Sequence, residues 1–124
     1  MRIALLIAAV LATLLAAAHS YLGERYILMR LFRRTELPKL LGGTEFTKRT
    51  LRFAWHITSV AWLGLASLII VLAQSTDATQ VTQARLIAAV FGISGVAALL
   101  GSRGRHLSWI VFLAIAGLVW LGYP

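Results

Sequence analysis

Four long stretches of this chain carry no Asp, Glu, Lys or Arg, and together they dictate its solvent. A helical residue rises about 1.5 Å and the hydrocarbon core of a bilayer is about 30 Å thick, so roughly 20 apolar residues cross it. Ile3 to Gly23 is the first such run. The second begins behind Arg52, runs from Phe53 to Ala73, and ends in the polar segment Gln74, Ser75, Thr76, Asp77. Leu86 to Gly101 and Leu107 to Gly122 are the third and fourth, separated by Ser102, Arg103, Gly104 and Arg105. These last two are short at roughly 16 residues, so Arg85 and Arg105 are expected to snorkel toward the interface. Trp55, Trp109, Trp120 and Tyr123 fall near the ends of the runs, where an aromatic belt sits. With 60% hydrophobic residues and a mean hydropathy of +0.84 in 124 residues, a water-soluble domain could not bury the apolar surface.

The expected architecture is all-α: one integral membrane domain over 1–124, a bundle of four transmembrane helices. Its divisions are spans at about 3–23, 52–73, 85–101 and 106–122, a basic segment 24–51, an outer loop 74–84 and a turn 102–105. Orientation follows from the Lys and Arg of the short loops, which stay on the cytoplasmic side. Of the 12 such residues, only Arg2 and Arg85 fall on the other side. This predicts both termini outside (N-out, C-out), in a bacterial inner (plasma) membrane. Met1-Arg2, the apolar run and Ala16-Ala17-Ala18 also resemble a signal peptide, but the run exceeds the 7–15 residues of a signal core, so retention is expected.

The basic segment reads as an interfacial helix continuing from the first span, stopped by Pro38 and turned at Gly42-Gly43. Arg25, Arg30, Arg33, Arg34, Lys48 and Arg49 form a collar suited to anionic lipid headgroups. The net charge of +8 is thereby explained by the bilayer, with no nucleic acid required. Small residues at four-residue spacing mark helix contacts in lipid. Ala4, Ala8, Ala12 and Ala16 form such a stripe, continued by His19 and Gly23, and Ala88, Gly92 and Gly95 form another. Ala114 and Gly117 offer a further close approach, to a neighbouring helix, a second copy or a larger membrane complex.

Three histidines share the basic side: His19 late in the first span, His56 early in the second, His106 opening the fourth. Ionisable groups within spans are costly and mark sites by default. A transition metal held by the three imidazoles is one reading, with Glu24 as further ligand or orienting carboxylate. Glu24 lies at i+5 from His19, about 140° around an α-helix, so a kink at Gly23 is needed to bring it over. Haem b between His19 and His56 is a second. Proton or ion handling along a polar seam of Arg52, His56, Ser59 and Ser67, as in a channel or transporter, is a third. The imidazoles otherwise simply hydrogen-bond Ser20, Tyr21, Thr58 or backbone carbonyls, and the chain serves as an accessory or scaffold subunit. There is no cysteine, no glycine-rich phosphate loop, no Gly-x-Ser-x-Gly elbow and no His-Glu-x-x-His helix, so nothing in the residues points to an enzyme.

Overall fold

The computed structural model describes residues 2–75 and 77–123. Four helices account for most of them: α1 (Ile3–Leu31), α2 (Glu45–Gln74), α3 (Val81–Gly101) and α4 (Ser108–Gly122). No strand occurs among the described residues. The first three helices are long and apolar enough to cross a membrane, and α4 is a shorter apolar helix of 15 residues. Large aliphatic side chains stay exposed along all four, including Ile3, Val10, Val60, Val71, Ile93 and Leu121, as expected of faces that meet lipid.

The helices form two hairpins joined through their inner members. α1 packs on α2 and on α4, α3 packs on α4, and α2 scarcely meets α3. The core is built from small residues of α1 against large ones opposite: Leu5, Ala8, Ala9 and Ala12 meet Ile69 and Leu72 of α2, Phe91 of α3, and Phe112, Ile115 and Val119 of α4 in one cluster. Close approach requires glycine at two points of this interface. A Cβ on Gly122 would stand 3.2 Å from that of Ala4, and one on Gly95 would stand 2.8 Å from the Leu113 side chain. Gly95→Ala is therefore expected to destabilise the α3–α4 hairpin by about 1–3 kcal/mol through overpacking. Equilibrium unfolding in detergent measures it, and an unchanged midpoint would show that Leu113 moves aside freely.

Helix ends differ from the charge-based boundaries. α1 does not stop at Gly23 but passes through a π-helical stretch, Gly23–Leu28, to Leu31, so the first part of the basic segment, 24–31, continues the same helix as expected, and the rest is the connection and the start of α2. α2 starts at Glu45, ahead of Arg52, and is about 45 Å long at 30 residues, exceeding the hydrocarbon thickness. Between them, Leu40 and Gly43 exchange backbone hydrogen bonds across a tight turn with Leu41 and Gly42 at positive φ, 50° and 88°. The buried Thr47 hydroxyl donates to the Pro38 carbonyl and ties this connection to α2.

The α3–α4 connection is a helix-ending motif of two crossed bonds, Gly104 N–H to Leu99 O and Arg103 N–H to Leu100 O, with Arg103 and Gly104 both at positive φ. At the far end, Arg2 lies over the Tyr123 ring at 3.8 Å and Arg85 over Trp120 at 3.7 Å. There the Asp77 carboxylate accepts from the Thr79 backbone N–H, which holds its carboxyl below the ordinary carboxylate range.

Candidate functional site

Helical spacing arranges the polar residues of α2. Arg52, His56 and Ser59 follow one another at four and three residues and so share a face, and Trp55 and Trp62 flank it one heptad apart. This face meets α1 where it carries His19, Ser20 and Glu24.

The result is a continuous line of side chains. His19 Nδ1 pairs with Ser59 Oγ at 3.0 Å, Ser59 Oγ with Ser20 Oγ at 2.9 Å, and Ser20 Oγ with His56 Nδ1 at 2.9 Å. His56 Nε2 then reaches Glu24 Oε2 at 3.3 Å, and the same carboxylate takes Arg52 Nε at 3.2 Å and Nη2 at 3.0 Å. Ser59, at the inner end of the line, is buried, whereas Arg52 at the other end is exposed. Arg52 is further steadied over the Phe32 ring at 5.0 Å.

Two tryptophans hold His19. Trp55 stacks on its ring, centroids 4.6 Å apart and planes 4° from parallel, and Trp62 meets it edge-on at 4.8 Å. The Trp55 indole N–H also donates to the His19 carbonyl at 3.0 Å. It can do so because residue 23 is glycine: a Cβ there would overlap the indole. The backbone widens into its π-helical stretch at this same residue, a distortion that recurs at functional sites.

The remaining sequence candidates lie elsewhere. His106 is exposed and occupied locally, its Nδ1 2.7 Å from Ser108 Oγ, and it takes no part in the line. Ser67 is exposed and donates to the Leu63 carbonyl of its own helix, so the polar seam ends at Ser59. Glu24 does not turn back to His19; it crosses to α2. Among the described residues, no group of three or more His, Asp or Glu side chains is disposed to hold a metal ion. Ala8, Ala12 and Ala16 are buried on α1 and Gly95 on α3, whereas Gly92 is half-buried with an ordinary 3.8 Å spacing to Ala116. Of the collar, Arg25, Arg30, Arg33, Arg34 and Arg49 are exposed, and Lys48 pairs with Glu45 at 3.2 Å. Ser20 and Trp62 complete the site; the signal for Trp62 was its position seven residues after Trp55, with Ser59 between.

Hydrogen-bond counting gives the arrangements this line can hold. Each serine hydroxyl donates once, and each neutral imidazole has one donor and one acceptor nitrogen. With His56 neutral and its Nε2–H on Glu24, its Nδ1 must accept from Ser20. Ser20 then accepts from Ser59, Ser59 from His19 Nδ1–H, and His19 Nε2 is left a bare acceptor. With His56 an imidazolium, both its nitrogens donate, and the three bonds between His56 Nδ1 and His19 Nδ1 reverse while that to Glu24 stays. Ser59 now donates to His19 Nδ1, and His19 carries its proton on Nε2. A proton taken up at His19 Nε2 thus reappears as the charge of His56 beside Glu24, with no heavy atom displaced.

No protein-family model, curated protein or solved structure matches this chain. Fold and site together define an all-helical protein with membrane-length apolar helices and a part-buried polar line between α1 and α2. Its function must be argued from that line.

Proposed function

We propose that this chain is a four-span protein of a bacterial inner membrane, N-out and C-out, and that it relays protons between the bundle interior and the cytoplasmic surface. One observation carries the reading: an unbroken hydrogen-bonded line from Arg52 and Glu24 to His19, whose three bonds between the two imidazoles are free to reverse together. The orientation rests on the lysines and arginines, nearly all at the end of the bundle where Glu24 and Arg52 lie. Ionisable groups in a span are costly, and a relay uses their capacity to change protonation.

The apolar core beyond Ser59, from Ala12 and Ala66 to Leu5 and Ile69, favours a relay that ends within the membrane over a channel that crosses it. A second reading, a metal ion or haem on His19, draws on one observation: with Nδ1 on Ser59, Nε2 is the nitrogen left for a ligand. The 15N chemical shifts of labelled histidine test the relay. Across a pH series, the His19 proton is expected on Nδ1 wherever His56 is neutral and on Nε2 wherever His56 is an imidazolium. The charged or titratable neighbours of the two rings are Glu24 from α1, Arg49 and Arg52 from α2 and His106 at the head of α4. Ser59→Ala should uncouple the two rings, leaving His19 indifferent to His56. A single His19 tautomer throughout, or a switch that persists in Ser59→Ala, would overturn the relay.

A further inference from the structure

A groove of about 530 Å³ opens beside His19, between α1, α2 and the start of α4. Leu15, Leu22, Trp55, Trp62 and Phe112 give it an almost wholly apolar lining. Its volume falls in the range of small-molecule sites, roughly 300–1,000 Å³. His106 and Ser108 also line it but are hydrogen-bonded to each other. His19 Nε2 is therefore its one imidazole nitrogen wired to the relay. Resting on the relay reading, we propose that this groove binds the ring of a membrane-soluble quinone or quinol, with a ring oxygen on His19 Nε2.

Four properties of the groove select that ligand class. Its aliphatic margins belong to helix faces exposed where lipid would lie, such as Leu22 and Ile27, so the ligand must reach it from the bilayer. Its aromatic walls favour a flat ring stacked or met edge-on. Its polar side chains are few, His19, Tyr26 and the His106–Ser108 pair, which suits a molecule carrying isolated ring oxygens and disfavours strongly charged ones. The fourth property is the most selective. A fixed donor would hold a carbonyl and reject a hydroxyl donor, but this nitrogen is reversible. When His56 is an imidazolium, His19 Nε2–H donates to a quinone carbonyl; when His56 is neutral, the bare Nε2 accepts from a quinol hydroxyl. Binding of both forms needs no electron transfer within the protein.

The two forms should therefore respond to pH in opposite directions. The probe is decylbenzoquinone or, under anaerobic conditions, its quinol, added to the full chain in nanodiscs and read by saturable quenching of tryptophan fluorescence. Between pH 8 and pH 5.5 quinone affinity is expected to rise and quinol affinity to fall. Each should change about five- to tenfold, the equivalent of gaining or losing one hydrogen bond. Val111 of α4 lines the groove; Val111→Trp, which fills it and changes no residue of the hydrogen-bonded line, should abolish both, and its His19 tautomer switch reports that the fold is intact. Absence of saturable quenching, quenching that survives Val111→Trp, or a Soret band showing haem in the groove would overturn the ligand assignment. Saturable binding of both forms with the same pH trend would instead support the groove ligand and overturn the relay.

Discussion

Gly23→Ala is expected to be the most damaging single-methyl change in the molecule, costing about 1–3 kcal/mol as an overpacking substitution against a rigid ring. The added carbon would lie on the Trp55 indole, whose ring is fixed by stacking on His19 and by its hydrogen bond to the His19 carbonyl. It cannot swing aside without losing both. The backbone cannot retreat cheaply either, since α1 begins its π-helical stretch at that residue and packs against α2 there. Two readouts separate local from global damage. Unfolding in detergent should shift to lower denaturant, and the tryptophan emission should change as the indole leaves its stack. A variant with wild-type stability and emission would show that α1 and α2 are not held by this contact.

How far the sequence carried depends on what sets each feature. The helices were legible because apolar runs of membrane length have few alternatives: a helix occupies each of the four runs, and three of these helices are long and apolar enough to cross a membrane. Their ends were not, because a charge marks where lipid stops while a helix continues as long as its backbone bonds are met. α2 accordingly begins at Glu45, ahead of Arg52, and α3 at Val81, ahead of Arg85, whereas α1 runs on through Arg25 and Arg30 as the expected continuation of the first helix. The candidate site was legible as a shared level of His19 and His56 near the basic loop. Their partners were not, since Ser20 and Ser59 meet only once the register of α1 against α2 is fixed. Glu24 illustrates the limit. Its offset from His19 on one helix argues for a kink, but the geometry that matters lies between helices, where Glu24 meets His56 and Arg52. His106 shows the converse: equal depth in sequence does not bring a side chain into the line when a local serine occupies it first.

The polar line and the apolar core impose different demands. Core residues tolerate exchange for others of similar volume, whereas a half-satisfied polar network is worse than none. The tight placement of Trp55, Trp62 and Phe112 around His19 follows from this, since Trp62 packs edge-on to both His19 and Phe112, at 4.8 and 5.2 Å. The rings keep His19 at one orientation and so keep its Nδ1 on Ser59. Rigidity at the inner end gives the hydroxyl rotors a fixed terminus, which the proposed relay needs if a change at His56 is to be felt at His19.

Glu24→Gln should freeze that line in one direction. In the native protein the Glu24 carboxylate is the only acidic side chain that contacts His56 among the described residues, and it also neutralises Arg52. An amide of the same shape keeps the helix packing but leaves the His56 imidazolium facing Arg52 without a counter-ion. The neutral form of His56 then prevails, Ser20 and Ser59 donate toward it, and His19 keeps its proton on Nδ1 across the pH range in which the wild type switches. The stability change should be small, about 0–1 kcal/mol, because Arg52 is exposed and its pair with Glu24 is screened by solvent. Adding Arg52→Gln removes the remaining cation and should restore the switch without restoring the carboxylate. Imidazole 15N shifts across a pH series measure all three proteins. A Glu24→Gln variant that switches as the wild type does would mean that the carboxylate plays no part in the protonation of His56. If the double variant stays frozen, the control resides in the carboxylate as a proton acceptor, and the relay would then run through Glu24 itself.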